Sequence, residues 1–307
     1  MEYNNVSFAA QVKNEICETE GKSRCCMLSE LYGAFLFSTS FGFLEIKITT
    51  KNRAFARRLA FLLKSCFGFD FDKKVVQSDQ NRKIIYILSD QNKLRIVFEE
   101  FGYEFRRDVS FRLNAAIIES ACCQTSFLRG AFLSAGTITN PDKRYHLEIE
   151  TPHRHLANEL TSVLNELSLA SKISMRKSKY IIYFKESTAI EDFLTMLGAP
   201  SGSMLVMEAK LQKELRNEVN RKTNCDSANI SKSVNAAQQQ IAHINIIRKN
   251  SPNLDVLPDQ LLQVALLRLE NPELNLEELS QISTSGMTKS GMYHRFRRIA
   301  QIAKEFE

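Results

Sequence analysis

The sequence predicts an α+β protein, in which a duplicated α-β-β-α-β-β-α unit is followed by an all-α carboxy-terminal domain. The first observation is a repeated segment: LYGAFLFST at residues 31–39 returns as LRGAFLSAG at residues 128–136. The second is that similar elements follow each copy in the same order, which chance matches of single segments do not explain. The third is that residues 251–307 show only helical spacing of apolar residues.

The composition is that of an ordinary globular protein with room for two or three domains: 307 residues, 44% hydrophobic and 25% charged. No apolar run approaches the ~20 residues needed to span a bilayer, and the first residues lack a basic region leading into an apolar core. Seven cysteines without a CxxC pair favour free thiols in a reducing compartment. We therefore expect a cytoplasmic protein that does not bind membranes.

The first repeat follows a short amino-terminal helix over residues 7–18, which Ser7 can cap. Alternation of apolar residues predicts strands and four-residue steps predict helices. After the helix containing residues 31–39, these patterns predict a strand, a helix, two strands and a helix, at residues 43–50, 52–66, 74–77, 83–88 and 93–101. A bridge over residues 102–121 then leads to the second copy.

The second repeat has the same order of elements. The tripeptide Ile-Ile-Tyr at residues 84–86 recurs at residues 181–183, at the same offset of 97 as the repeated helix. Gly198 and Pro200 are a helix stop signal at its end. The elements are a strand, a helix, two strands and a helix, at residues 145–151, 153–167, 172–176, 180–185 and 189–197.

Small residues recur at helical spacing in both copies of the repeated helix, for example Ala34 with Ser38 and Gly130 with Ser134. Two helices with such faces can cross with their backbones unusually close. We expect these helices to form the central axis of the duplicated domain.

Two LxGxFL helices that each open such a unit resemble the LAGLIDADG homing-endonuclease fold, in which the paired helices join two half-saddles. In those nucleases the eighth motif position is an acid that holds the divalent metal for phosphodiester cleavage. The matching positions are Ser38 and Ala135, and residues 31–40 and 128–139 contain no Asp or Glu. Because Mg²⁺-type ions need carboxylate oxygens, the resemblance implies a degenerate motif without catalytic or metal-binding residues.

The strands that would form the saddle carry mixed charge. Acids on the first strand of the second repeat do not favour phosphate, whereas bases on a neighbouring strand do. Weak contact with nucleic acid and a protein-binding or scaffold surface therefore both stay open. The residues are Glu45, Lys47 and Thr49 in the first repeat and His146, Glu148, Glu150, Lys172, Ser174 and Arg176 in the second.

Two pairs of adjacent cysteines, Cys25-Cys26 and Cys122-Cys123, stand at the same distance before their motif helices. Adjacent cysteines are awkward chelators, because structural zinc sites usually space their ligands as CxxC. We expect small buried packing residues rather than a metal site, and no cofactor.

Residues 201–250 predict a helical linker, with amphipathic helices at 204–219 and 233–247 joined by a polar turn at 224–226. The residue pattern of this linker is similar to that of the WhiA family of sporulation and cell-division regulators. Three other segments are similar to the same family: SFAAQVKNEI near the start, the CC pair that follows it, and LRGAFLSAG. The matching linker residues are Asn220, Arg221, Asn224, Cys225, Ala228, Asn229, Lys232, Ala236, Ala237, Gln240 and Ile241.

The last segment predicts a helix-turn-helix. Pro258 can open one helix, Asn275 with Glu278 forms a capping box for a second, and Thr288 can cap a third after a turn at 283–287. The third helix has a buried stripe and a basic face, and residues 279–304 carry five bases and no acid. The stripe consists of Met292, Phe296, Ile299, Ala303 and Phe306.

Such a last helix enters the major groove of DNA by its amino-terminal part. We expect Lys289, Ser290, Tyr293, His294 and Arg297 near bases, and Arg295 and Arg298 on phosphates. A plain basic surface helix is the alternative.

The predicted segments are residues 1–120, the amino-terminal helix with the first repeat; 121–200, the second repeat; 201–250, the helical linker; and 251–307, the DNA-binding domain. The family resemblance implies a non-enzymatic regulator of cell division and chromosome segregation, in some lineages of transcription. Its partners would be double-stranded DNA in the nucleoid and other regulatory or division proteins, with no small-molecule substrate. A scaffold protein of the division machinery, or less favoured an active endonuclease, stays open.

Overall fold

The computed structural model describes residues 6–20, 23–77, 83–105, 112–283 and 286–306. It divides into two compact units, residues 1–213 and residues 214–307. The predicted turn at 283–287 falls partly outside the described residues, because 284 and 285 are not among them.

The first unit contains the predicted duplication. Helix α1 (Phe8–Cys17) precedes two sets of elements in the order α-β-β-α-β-β-α, and a short 3₁₀ turn (Ala115–Ile118) lies between the sets. The first set is α2 (Arg24–Leu36), β1 (Ser40–Phe41), β2 (Ile46–Thr50), α3 (Arg53–Phe67), β3 (Lys73–Gln77), β4 (Lys83–Leu88) and α4 (Gln91–Glu100). The second is α5 (Ala121–Ala135), β5 (Gly136–Ile138), β6 (Leu147–Thr151), α6 (Arg154–Glu166), β7 (Lys172–Arg176), β8 (Lys179–Phe184) and α7 (Ser187–Leu197).

Each half forms a four-stranded antiparallel sheet, with the strand orders β1-β2-β4-β3 and β5-β6-β8-β7. The fold-class prediction is thereby confirmed. Strands β1 and β5 were not predicted as separate elements, since stretches of two and three residues are too short to show alternation.

Strand pairing corrects one detail of the repeat. Ile46 pairs with Leu88 in the first sheet, and Leu147 pairs with Phe184 in the second, so β4 and β8 are related by an offset of 96. The Ile-Ile-Tyr match at an offset of 97 is therefore one residue out of register. Tyr86 is buried, whereas Tyr183 lies on the opposite, partly exposed face, as a slip of one residue requires.

The two central helices α2 and α5 cross at their glycines. A Cβ atom added to Gly33 would lie 2.2 Å from the carbonyl oxygen of Phe127, and one added to Gly130 would lie 1.9 Å from that of Glu30. No side chain fits at either position, so the two backbones touch. The predicted close approach is confirmed, and the repeated motif works as a packing surface.

A buried carboxylate ties the central helices to their neighbours. Glu30 on α2 is 1% exposed and forms ion pairs with Arg58 on α3 and Arg129 on α5. Arg58 also donates to the carbonyl oxygens of Cys17 and Thr19, and Arg129 donates to that of Leu197. Removing one partner of such a cluster costs about 3–5 kcal/mol, because a buried charge is left uncompensated.

The cysteine prediction holds for only two of the four residues concerned. Cys26 and Cys123 are buried, but Cys25 and Cys122 are exposed. Both pairs lie in the first turns of their helices, and the outer residue of each pair therefore faces away from the core.

Residues 201–250 do not form two helices with a turn. A single helix, α8 (Pro200–Asn250), runs through the predicted turn at 224–226. Helix α7 does end at Gly198, which has a positive φ of 91°, but Pro200 opens the next helix. Proline fits there because the first turn of a helix does not need its amide hydrogen. Asn224 and Asp226 were misleading turn signals, since both are tolerated on the exposed face of a helix.

The second unit is helical. Helices α9 (Asp259–Glu270), α10 (Leu276–Ile282) and α11 (Lys289–Ala303) enclose a core that also includes Ile244 and Ile247 of α8. The Asn275 side chain accepts from the backbone amides of Glu277 and Glu278, and the Glu278 carboxylate accepts from that of Asn275. The predicted capping box is thus present.

Arg268 organises the turn that follows α9, and the sequence did not single it out. Its side chain is 1% exposed and donates to Gln240 on α8 and to the carbonyl oxygens of Asn271 and Leu274. Its guanidinium carbon also lies 5.4 Å from the ring centre of Phe296 on α11. Burial lowers the pKa of Arg268. One side chain thus connects α9, α8 and α11.

In the part of the chain that the structure describes, no helix is both long and apolar enough to cross a membrane.

Replacing Gly130 with alanine is expected to lower the free energy of unfolding of the first unit by about 3 kcal/mol, because α2 and α5 would have to separate. Gly42→Ala is the matched control: the nearest heavy atom to its added Cβ is 4.0 Å away, so we expect a change within about 0.5 kcal/mol. Urea unfolding followed by circular dichroism measures both. Equal stability of the two variants would contradict the close crossing.

Arg268→Met keeps a long side chain but removes the donors to Gln240 and to the partly buried carbonyl groups of Asn271 and Leu274. We expect a loss of about 3 kcal/mol in the stability of the second unit. Arg248→Met, at an exposed position of α8, removes the same charge and should change stability by less than about 0.5 kcal/mol. Unfolding of the two proteins in urea compares them, and a destabilisation shared equally by both would refute the bridging role of Arg268.

Candidate nucleic-acid interface

Helix α11 has one buried and one exposed face. The Thr288 hydroxyl accepts from the backbone amide of Gly291 at 3.2 Å and so caps the helix as predicted. Four of the five residues of the predicted stripe are buried, and the fifth, Phe306, is partly buried against the same core. The buried residues are Met292, Phe296, Ile299 and Ala303.

Opposite the buried stripe lies a row of polar side chains. With 3.6 residues per turn, Ser290, His294, Arg297 and Gln301 share one face, and all four are exposed. Tyr293 lies beside this row with 56% of its surface exposed, and its ring centre is 5.9 Å from that of His294. Four of the seven predicted DNA-binding residues are therefore together on an open surface.

The remaining three predicted residues make contacts within the second unit. Lys289 forms an ion pair of 3.1 Å with Glu277 on α10, in which both side chains are more than 60% exposed. Arg295 is partly buried, at the edge of the stripe, and lies 3.5 Å from the side-chain oxygen of Gln260 on α9. Arg298 is exposed and donates to Gln301 at 3.0 Å. An ion pair as exposed as that of Lys289 is weak, and the glutamine partners of Arg295 and Arg298 carry no charge, so all three bases can turn to an anion.

In the first unit, the degenerate motif positions line a groove. Ser38 and Ala135 lie with Glu150, His153 and Lys179 around a cavity of about 570 Å³ where α2 and α5 end. The sequence placed Glu150 on a strand of the predicted saddle but did not predict that it reaches this groove, because strand β6 is brought beside the motif helices only by folding. Among the lining residues that the structure describes, Glu150 is the only carboxylate.

The groove residues are engaged with protein groups. Ser38 donates to the carbonyl oxygen of Ser40 at 2.8 Å, and the carboxylate of Glu150 is paired with Lys179. Burial lowers the pKa of His153, which favours the neutral imidazole at pH 7. Phosphodiester cleavage with one or two metal ions requires carboxylates that are free to bind the metal. The one carboxylate among the described lining residues, that of Glu150, is already paired with the ammonium group of Lys179.

The acids of the second sheet are also paired. Glu148 accepts from His146 and from Arg176, each at 2.8 Å. Burial works against ionisation of Glu148, but these two partners outweigh it and hold the pKa of that carboxyl below its ordinary value. Arg176 is therefore partly neutralised, and the sheet presents alternating charges rather than a continuous basic surface.

Comparison with known proteins gives matches to both parts of the chain. A family model described as the WhiA LAGLIDADG-like domain matches residues 124–216, and one described as the WhiA C-terminal HTH domain matches residues 219–303.

Solved structures agree. The crystal structure of full-length DUF199/WhiA from Thermatoga maritima superposes with a TM-score of 0.61 at 26% identity and covers 98% of this chain and 99% of that chain. The N-terminal LAGLIDADG domain of DUF199/WhiA gives a TM-score of 0.52 at 22% identity, covers 64% of this chain and 93% of that one, and supports the fold alone.

Sequence relatives extend over nearly the entire chain. A protein of Clostridium novyi named "Probable cell division protein WhiA" is 37% identical in an alignment of 312 positions that covers 98% of this chain and 98% of that protein. One of the same name from Alkaliphilus metalliredigens is 33% identical in an alignment of 316 positions that covers 97% of this chain and 98% of that protein. With such identity over nearly the full length, and with a degenerate LAGLIDADG-like domain and a helix-turn-helix domain both present, the chain belongs to the WhiA family.

Proposed function

We propose that this protein is a non-catalytic DNA-binding regulator of bacterial cell division that holds double-stranded DNA through residues 251–307. The observation that carries the proposal is the exposed polar face of α11, with Arg297 at its centre and the buried stripe directly behind it. A helix held in this way by its own core can enter the major groove without unfolding.

Charge supports a nucleic-acid partner. Residues 279–304 hold five bases and no acid, although the whole chain carries only +6. Such a local concentration attracts the phosphate backbone and makes binding sensitive to salt. A bland basic surface helix would lack the neighbouring groups suited to base edges, and α11 offers Ser290, Tyr293 and His294 beside Arg297.

The contacts of the seven residues suggest a division of roles. Arg297, Ser290, Tyr293 and His294 are exposed towards a common side and suit the groove floor. Lys289 is proposed to join them when its weak pair with Glu277 opens. Arg295 and Arg298, which lie on one flank of this side and contact Gln260 and Gln301, are proposed to contact phosphates.

The biological process is proposed from the family. The relatives are named as probable cell division proteins. We propose roles for this chain in cell division and chromosome segregation on the nucleoid, in the cytoplasm, with transcriptional control and sporulation as the processes served in some lineages. Other regulatory or division proteins are its proposed partners.

Combined replacement of Arg295 and Arg297 by alanine is expected to weaken duplex binding by about 10- to 100-fold, because one base contact and one phosphate contact are lost. The slope of log affinity against log salt should fall by about one. Fluorescence anisotropy with a labelled duplex at several salt concentrations measures both quantities on the full-length chain.

The matched control replaces Arg248 and Lys249, two exposed bases at the end of α8, by alanine. It removes the same charge from the second unit but leaves α11 intact, so we expect a smaller loss of affinity. Thermal unfolding verifies that both variants fold. Equal affinities of the α11 variant and the unaltered protein would refute α11 as the DNA-contacting helix.

The competing proposal of an endonuclease is tested with supercoiled plasmid and Mg²⁺. We expect no nicking, because Ser38 and Ala135 supply no carboxylate and Glu150 is paired with Lys179. Nicking by the purified protein that disappears in Glu150→Gln would contradict the non-catalytic proposal and assign the groove as its active site.

A scaffold function has one observation in its favour, the exposed apolar side chains on α8. Met204 and Leu211 are 70% and 61% exposed in the first unit, and such side chains suit a protein partner. A pure scaffold would bind duplex DNA no more tightly than any protein of equal charge, so the salt-dependence experiment on α11 separates it from the proposed regulator.

A further inference from the structure

Four thiols lie together at the amino-terminal ends of the central helices. Cys25 and Cys26 are in the first turn of α2, and Cys122 and Cys123 are in the first turn of α5. This end is separate from the groove at Ser38 and Ala135, which lies where the same helices finish. At a rise of about 1.5 Å per residue, the helical stretch from Cys26 to Leu36 is about 15 Å long. The thiols therefore belong to a different site.

The sulfur atoms converge from both helices. Those of Cys25, Cys26 and Cys123 lie within 4.8 Å of one another. The fourth thiol, Cys122, lies outside this group of three and is a neighbour of Cys26, as Cys25 is of Cys123. Each cross-helix contact joins an exposed thiol to a buried one. Three sulfur atoms thus lie together, and the fourth, that of Cys122, is next to Cys26 at the edge of the group.

This arrangement removes the objection that adjacent cysteines chelate poorly. CxxC spacing serves sites in which a single turn of chain must wrap around the ion. Here the crossing at Gly33 and Gly130 brings two helices so close that each needs to supply only two ligands. A tetrahedral zinc site with Zn–S bonds of about 2.3 Å has sulfur atoms about 3.8 Å apart, so binding the ion requires rotation of the cysteine side chains, that of Cys122 above all.

The surroundings of the two exposed thiols, Cys25 and Cys122, favour thiolates. Both pairs lie at helix amino termini, where the partial positive charge stabilises an anion. The hydroxyl oxygens of Ser23 and Ser120 lie 3.0 Å from the sulfur of Cys25 and 3.2 Å from that of Cys122. A hydroxyl in such a place can donate to a metal-bound thiolate and fix its direction. The same support therefore occurs in both halves of the duplicated domain.

We propose that Cys25, Cys26, Cys122 and Cys123 form a structural thiolate site for one zinc ion, which fastens the amino-terminal ends of α2 and α5 to each other. Soft sulfur ligands in a tetrahedral set select zinc over the hard ions that an endonuclease uses. All four positions around the ion are filled by protein, as in a structural and not a catalytic site.

The test uses the full-length chain, purified under reducing conditions, incubated with Zn²⁺ and freed of excess metal by gel filtration. Metal analysis by mass spectrometry is expected to give one zinc per chain. Cys25→Ser and Cys26→Ser should each lower zinc affinity at least 10-fold in a competition with a chromogenic chelator. Cys25 is exposed, so its variant folds even if that of buried Cys26 does not.

Cys66→Ser and Cys225→Ser are the matched controls, since one removes a buried thiol and the other an exposed thiol away from the cluster. Both should bind zinc as the unaltered protein does. Substitution of Co²⁺ should give the sulfur-to-metal charge-transfer bands of a tetrahedral thiolate site, lost in Cys25→Ser.

Absence of stoichiometric zinc from the reduced protein, or equal zinc affinity in the cluster variants and the controls, would overturn the proposal. A metal-free protein whose mass shows two hydrogens lost for each cross-helix disulfide would overturn it too, and would assign the four thiols to oxidation instead.

Discussion

The contact between the backbones of α2 and α5 at Gly33 and Gly130 is the constraint on which the first unit depends. Because no Cβ fits at either position, the two helix backbones are in direct contact where they cross. Each half of the duplication packs its sheet and outer helices against its own central helix. The glycine crossing therefore fixes how the halves meet, and the charged cluster of Glu30, Arg58 and Arg129 adds directional bonds around it.

Both ends of the helix pair acquire their chemistry from this crossing. At the carboxy-terminal end, it brings Ser38 and Ala135 to one groove, where in a LAGLIDADG nuclease two acids would share a metal. Among the described lining residues only Glu150 supplies a carboxylate, and this carboxylate forms an ion pair with Lys179. At the amino-terminal end, the same proximity gathers four thiols. The packing role of the motif depends on Gly33 and Gly130 and not on positions 38 and 135. The motif can therefore keep its packing role although its catalytic positions are degenerate.

In the second unit, burial decides which side of α11 is available. Met292, Phe296 and Ile299 are committed to the core, with Phe296 also beside the guanidinium of Arg268. Since a helix has only one opposite side, Ser290, His294 and Arg297 must face outwards. Burial of the apolar stripe therefore determines which side of α11 is the exposed basic surface. Arg268 supports this arrangement indirectly, because it binds the turn after α9 to α8.

The sequence by itself determined the duplication, the α+β class, the buried stripe of α11, the capping box at Asn275 and the loss of acids at Ser38 and Ala135, because each of these depends on local spacing and residue type. Tertiary structure decided the rest. The register of β8 differs by one residue from the tripeptide match, since pairing follows burial and not identity. Helix α8 continues through residues 224–226, because its polar residues are compatible with an exposed helix face. Glu150, Arg268 and the four converging thiols were brought to their sites from distant segments, and no pattern along the chain reports distances between segments.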